Sequence, residues 1–484
     1  MAKRKKRNIT KKSLIYSIGT LVSSVSTMIL IPMYSRFLTP TDYGNYELSM
    51  TLMLLLTMVG FLDIHTTMLR FMYGIEREDD NSKKSAIFSA AVIHAVCLGL
   101  LFLTVYITQL LTTFPYAKEG LFYGITFTLS TFFLNCARGM DKEVEYTTGF
   151  SIFHLSNLII MSLLLMVFRL GANAIFISFG IAYLIQIFYL ESKIHVLRMF
   201  STKYIRPSLM KRMLRFTFPL AFTAVGTWVM KNYSSIIIVK LLGAKENGLY
   251  TMSLNFARAI PTIANGLIIA WQEVAFSARG KQSSKREFFQ NSLEQVLIIF
   301  SCTYMLFIPA IHLILPYYLD PAYQSIMPLI ALCTAGFLFD CFSLILAGVF
   351  GNSINSMPIM ISTVVGTVTD LLIIHFFIST FGTVGAAITT CIGFFLVASI
   401  RMIWLSIEHQ FKMHVFKILF YFVAAAIIGY YATIGSVQLN ALLIVVSLAL
   451  SLPYIRPMVA DHRKKSRAEK EERKEAEEKE ENEE

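Results

Sequence analysis

Charge is what this sequence has least of. Asp, Glu, Lys and Arg make up 15% of its 484 residues, against about 25% in an ordinary soluble domain. The stretches 85–113, 213–242 and 357–404 hold almost no ionisable side chains. Catalytic signatures are missing as well. There is no GxSxG, no HExxH, no GxxxxGK[ST] and no glycine-rich nucleotide loop after a strand, so neither ATP-driven work nor hydrolase chemistry is expected. The connections are too short to hold an enzyme domain. The six cysteines (Cys97, Cys136, Cys302, Cys333, Cys341 and Cys391) lie within apolar spans without CxxC or metal spacing. They are expected as packing residues, and no cofactor or metal is expected. A cleavable leader is not expected either, because the first apolar stretch is too long and lacks a small-residue cleavage site.

What remains is apolar: 55% of the residues are hydrophobic. Runs of about 20 such residues cross a hydrocarbon core of roughly 30 Å as helices. Breaks at Gly, Pro, Asn and charge place helices near 13–36, 46–72, 85–112, 120–140, 147–168, 172–196, 213–241, 248–276, 288–315, 325–350, 357–380, 383–405, 415–434 and 438–456. The expected fold is therefore an all-α polytopic membrane protein of about fourteen spans. Lys and Arg set its orientation. Seven lie in Met1–Lys12, seven in 193–215 and four in 277–287, whereas the outer loops hold Lys118, Arg169 and Lys245. Both termini are thus expected in the cytoplasm, and the net charge of +12 is read as loops beside anionic lipid rather than a nucleic-acid surface.

A repeat runs through the chain. LTPTDYGNYELSM (Leu38–Met50) and LGAKENGLYTMSL (Leu242–Leu254) share a constant offset of 204 residues. Leu38, Asp42, Gly44, Tyr46 and Ser49 fall on Leu242, Glu246, Gly248, Tyr250 and Ser253. A second echo pairs LGANAIFISFG (Leu170–Gly180) with FGTVGAAITTCIG (Phe381–Gly393), each after the fifth helix of its half. Two six-helix lobes related by an axis along the membrane normal follow, a transporter arrangement with its substrate site between the lobes. The expected divisions are a basic N-terminus 1–12, an N-lobe 13–196, a linker 197–212, a C-lobe 213–405, two last helices within 406–457 and a charged tail 458–484.

Ionisable residues inside membrane helices cost about 2.5–3.5 kcal/mol each on insertion scales, so they mark function or pairing. Arg36, Arg70, Lys231 and Arg258 fall on helices 1, 2, 7 and 8, the equivalent first pairs of the two lobes. They are the candidate substrate-binding residues, suited to a diphosphate through arginine forks and a lysine point charge. Asp63, His65, Asp340 and Asp370 are candidates for coupling or for charge pairing with those cations. The plainer alternative is internal pairing, including Asp340 with a partner on helix 7 or 8. Lys240 and Arg401, near span ends, read as snorkelling to headgroups. His94, His154, His312 and His375 read as packed histidines, and Pro261, three residues after Arg258, as a hinge.

The stretch Ile31–Phe71, with its Arg followed by LTPTDYGNY and then Asp63 and Arg70, resembles the opening of polysaccharide-biosynthesis flippases. These are the Wzx-type and lipid II flippase-like members of the multidrug/oligosaccharidyl-lipid/polysaccharide exporter superfamily. LGAKENGLY (Leu242–Tyr250) is similar to the family's turn after helix 7, whereas Ser234 and Ser235 stand where many relatives carry an Asp. The resemblance implies a flippase with a MATE-like fold in the plasma membrane, its last two helices holding an isoprenoid tail. The expected cargo is an undecaprenyl-diphosphate-linked oligosaccharide, the alternatives being lipid II or a cationic drug in an antiporter. Membrane lipids and glycosyltransferases or a polymerase of the same pathway are the other expected partners; a monomer is expected.

Overall fold

In lipid every backbone N–H and C=O must find its partner within the protein, so long apolar segments become helices. The computed structural model describes residues 2–61, 64–73, 80–111, 116–262, 264, 282–350, 357–409 and 415–453. Its α-helices, in order, are α1 (Ala2–Phe37), α2 (Pro40–Phe61), α3 (Ile64–Tyr73), α4 (Asp80–Leu111), α5 (Ala117–Gly139), α6 (Glu143–Met166), α7 (Asn173–Ile194), α8 (Pro207–Leu242) and α9 (Ala244–Ala257). They continue as α10 (Gln282–Tyr318), α11 (Met327–Phe350), α12 (Met357–His409), α13 (Val415–Ile434) and α14 (Val437–Pro453). Among the described residues eight helices are long and apolar enough to cross a membrane, and α2 with α3 makes a ninth when the bent pair is one span. The chain is a multi-pass helical membrane protein.

Two breaks follow directly from residue chemistry. α12 runs 53 residues, about 80 Å at 1.5 Å per residue and more than two bilayer cores. It turns at Gly382, whose φ of +61° is open to glycine at little cost. Gly171, the counterpart in the second echo, holds φ +58° in the turn between α6 and α7. At the start of α2, Thr39 accepts from the Asp42 N–H at 3.2 Å and donates to the Asp42 carboxylate at 2.7 Å. Pro40 occupies the first helical position, where its missing N–H costs nothing. Gly243, at φ +96°, separates α8 from α9 at the place equivalent to Thr39.

The chain divides into two compact units. The first comprises 1–276 and 317–401 and contains both copies of the repeated turn. The second comprises 277–316 and 402–484. Within the second, Ser447 donates to the Met305 carbonyl at 2.9 Å, Tyr421 to the Leu450 carbonyl at 3.2 Å, and Lys417 pairs with the buried Glu294 at 3.1 Å. A side chain at Gly429 would run into Tyr304. α10, the ninth expected span, thus packs with α13 and α14, a grouping absent from the repeat pattern. Phe416, Leu419, Phe420, Ile427 and Tyr430 are exposed along α13, as a lipid-facing surface requires.

Candidate functional site at the seam of the repeats

The two repeated turns meet each other. A Cβ at Gly44 would fall 1.8 Å from the Ala244 carbonyl oxygen, and one at Gly248 would fall 1.9 Å from the Pro40 carbonyl oxygen. α2 and α9 therefore cross backbone on backbone, at the two glycines that the offset of 204 makes equivalent. Asn247 Nδ2 donates to the Gly44 carbonyl at 2.9 Å and is fully buried there. Around the crossing, Tyr323 donates to the Leu38 carbonyl at 3.1 Å, the Asp320 N–H to Ser35 Oγ at 3.3 Å, and Tyr318 to the Met28 carbonyl. The seam is closed at the end that carries these turns. Tyr46 and Tyr250, and Ser49 and Ser253, are buried in matching positions.

One helical turn deeper, a chain of hydrogen bonds joins the repeats. Tyr43 Oη donates to Glu47 Oε1 at 2.9 Å, Asn255 Nδ2 donates to Tyr43 Oη at 2.6 Å, and Arg258 Nη1 donates to Asn255 Oδ1 at 3.3 Å. Glu47 on α2 is thus linked to Arg258, which ends α9, through two neutral groups, and the two charges act on each other. Tyr34 and Tyr46 pack on the Tyr43 ring at 5.8 and 5.6 Å. Glu47, at the start of the expected helix 46–72, is not among the charges that the sequence singles out. Its spacing of four residues from Tyr43 on a helix was the available signal.

A second group of charges lies in the C-terminal repeat. Lys231 Nζ on α8 binds Asp340 Oδ2 on α11 at 2.6 Å, with the carboxylate side chain 7% exposed and the lysine 32% exposed. The ammonium also lies 5.7 Å from the Phe394 ring centre. Asp340 is within electrostatic range of Arg401. Arg401 is not a snorkelling residue: it is 4% exposed and donates to Ser362 Oγ at 2.9 Å, the Ser343 carbonyl at 2.7 Å and Thr363 Oγ1 at 3.0 Å. Its fork reaches across α11 and α12 because small hydroxyl side chains leave room there, so the polar head is satisfied internally. Asp370 is fully buried, with the Thr389 side chain beside its carboxylate.

The structure does not gather the four sequence-selected cations on one wall. Arg36 is exposed in the last turn of α1, whereas Arg70 is exposed at the end of α3, a whole span away. Lys231 and Arg258 sit in the two networks just described. Arg70 stacks on Phe216, 4.3 Å from guanidinium to ring centre, and lines a cavity of about 450 Å³. His65 packs instead against His94, Phe61 and Phe132, ring centres 5.0 to 6.4 Å apart, so His94 is not isolated. α9 ends at Ala257, the residue whose carbonyl Pro261 cannot engage for want of an N–H. Asp63, most of the chain after Pro261 in the eighth span, and the tail 458–484 lie outside the described residues.

Repeated helices crossing on glycine, with the rare charges held at and beside that crossing, define a polytopic membrane protein of transporter type. The model of the family described as polysaccharide biosynthesis protein matches residues 9–272, more than half of the chain, and the chain belongs to that family. Among solved structures it is similar to a lipid II flippase, MurJ, in an inward closed conformation. That match has a TM-score of 0.71 at 13% identity and covers 92% of this chain and 100% of the other. An inward-facing MATE-family multidrug transporter superposes with a TM-score of 0.60 at 12% identity, covering 82% and 98%. A point mutant of the Vibrio cholerae MATE transporter VcmN gives 0.59 at 12% identity, covering 84% and 98%. No curated protein matches the chain by sequence. The fold is that of these transporters.

Proposed function

We propose that the chain is a flippase that carries an undecaprenyl-diphosphate-linked oligosaccharide, a polysaccharide repeat unit, from the cytoplasmic to the outer leaflet by alternating access. The observation that carries this reading is the family match over residues 9–272, joined to cations at the seam and at the far end of the second span. On the sidedness read from the loop charges, the plasma membrane holds both termini in the cytoplasm, and the closed crossing at Gly44 and Gly248 faces outward. The described conformation is then inward-facing. The diphosphate head meets Arg70 first, then Lys231 and Arg258, while the isoprenoid tail stays in lipid.

The sign of the driving force agrees. Moving an anion out of a negative cytoplasm gains about 2.3 kcal/mol per charge per 100 mV. Asp370, fully buried with no cation against it among the described residues, is the candidate coupling group if an ion contributes, and Asp340 serves as the counter-ion that keeps Lys231 charged. Pro261 is the proposed hinge. The likeness to MurJ supports lipid II as the alternative cargo. A cation antiporter is disfavoured by the excess of arginine and lysine among the selected residues. Labelled lipid-linked oligosaccharide in proteoliposomes separates these readings: flipping of the polysaccharide unit supports the first, and flipping of lipid II alone supports the second. Transport of a cationic dye with neither lipid moved rejects both.

A further inference from the structure

The connection between the repeats has a second use. It is packed onto α4: the Arg206 N–H donates to Ser89 Oγ at 3.1 Å, and Tyr204 donates to Asn81 Oδ1 at 3.1 Å. The Phe88 ring lies against Phe200 and Tyr204, centres 5.4 and 6.1 Å apart. These contacts seat the first turns of α8 against the first turns of α4. Between them lies the cavity of about 450 Å³, and its lining includes Arg70, Arg206 and Arg212 with no carboxylate among the lining residues.

Four features of that cavity point to one chemistry. Three arginines line it, the side chain best shaped to grip phosphate by paired hydrogen bonds. Ser85, 1% exposed, lines it with a hydroxyl that has no hydrogen-bond partner. Ser82, in the first turn of α4, and Arg206, which precedes the first residue of α8, bring the positive ends of two helices to its edge. The remaining wall is apolar, Phe71, Leu209 and Phe216, which a free inorganic ion does not use. Arg70 lies over the Phe216 ring, 4.3 Å from guanidinium carbon to ring centre, which places it on that apolar wall.

We propose that this cavity recognises the phosphate or diphosphate of an amphiphile: Arg70, Arg206 and Arg212 clamp the phosphate, Ser85 donates to it, and the apolar wall takes the first carbons of its chain. Two sources share that chemistry, the polyprenyl diphosphate of the cargo and the headgroup of an anionic phospholipid. The cargo source rests on the flippase reading; the phosphate site itself does not. As a cargo site it holds the diphosphate at the inner mouth before the seam opens.

Binding is measured on the purified full chain in a neutral detergent by titration calorimetry, with farnesyl diphosphate, short-chain phosphatidylglycerol and inorganic pyrophosphate as probes. Farnesyl diphosphate is expected to bind tighter than pyrophosphate, because only the former uses the apolar wall. Arg206→Gln and Arg212→Gln are each expected to weaken it about tenfold or more, and Lys240→Gln, exposed at the far end of α8, to leave it unchanged. The charge-preserving Arg206→Lys/Arg212→Lys pair keeps the local charge if the neutral variants unfold, and is expected to lose affinity with the fork. Farnesyl diphosphate displacing phosphatidylglycerol assigns the site to cargo; equal or tighter phosphatidylglycerol binding assigns it to membrane lipid. The proposal is overturned if the wild type binds neither amphiphile, or if folded arginine variants bind both as the wild type does. A chain that binds farnesyl diphosphate at this site but flips nothing retains the site and loses the flippase reading.

Discussion

Lys231 and Asp340 set the terms at the scale of single residues. A carboxylate that is 7% exposed offsets its desolvation only while the ammonium is beside it. Lys231→Met strands that charge and is expected to cost about 3 kcal/mol of stability, the lower end for a broken buried pair. The double variant Lys231→Met/Asp340→Asn is expected to recover part of the loss in a thermal-unfolding cycle; equal losses in both would dismiss the pair. Tyr43→Phe removes the hydroxyl that accepts from Asn255 and donates to Glu47. It is expected to cost about 1–3 kcal/mol through the unpaired groups it leaves, and Thr51, at the repeat position equivalent to Asn255, offers an unlinked control. Arg401→Met is expected to destabilise more than Arg401→Lys, since only the fork reaches Ser362, Thr363 and the Ser343 carbonyl together.

Glycine crossing is the feature of the helices themselves that was legible in advance. The shared offset picked out Gly44 and Gly248 as equivalent, and the structure brings each against the backbone of the other's turn, where a methyl group has no room. Gly44→Ala or Gly248→Ala is expected to cost about 1–3 kcal/mol by overpacking and to loosen the closed end of the seam. Thiol labelling of Cys introduced at Asn255, from the side of the repeated turns, should rise in either variant; unchanged labelling would show that the crossing does not hold the seam. The left-handed glycines at 171 and 382 were legible in the same way, as turn residues in the second echo. Element ends were less so. Thr39 and Pro40 begin α2 well before the expected residue 46, so Tyr43, outside the expected helix 46–72, lies one helical turn before Glu47 and bonds it there.

For the molecule as a whole, hydropathy and loop charge read out a helical membrane protein with a repeat, because lipid forces both helix formation and the placing of charge. Side-chain partners were only partly readable. Which group meets which depends on helix rotation, and rotation is set by packing that a single sequence does not display: Arg258 bonds Asn255, and Arg70 shares a cavity with the linker arginines. The Lys231–Asp340 pair, by contrast, is the internal pairing of Asp340 with helix 7 or 8 that the sequence offers as the alternative. Sequence alone also puts the ninth expected span, α10, with its repeat, whereas its small-residue contacts with Ser447 and Gly429 group it with the last two helices. In the proposed mechanism Arg258 at the seam and Lys231 in the C-terminal repeat carry the anionic lipid-linked head across the membrane. The most direct test of that role is flipping of labelled lipid-linked oligosaccharide in proteoliposomes by Lys231→Gln/Arg258→Gln, at matched protein content and with folding verified by its unfolding transition. Most of the transport under an inside-negative potential is expected to be lost; transport at the wild-type rate would rule out a carrying role for the two cations.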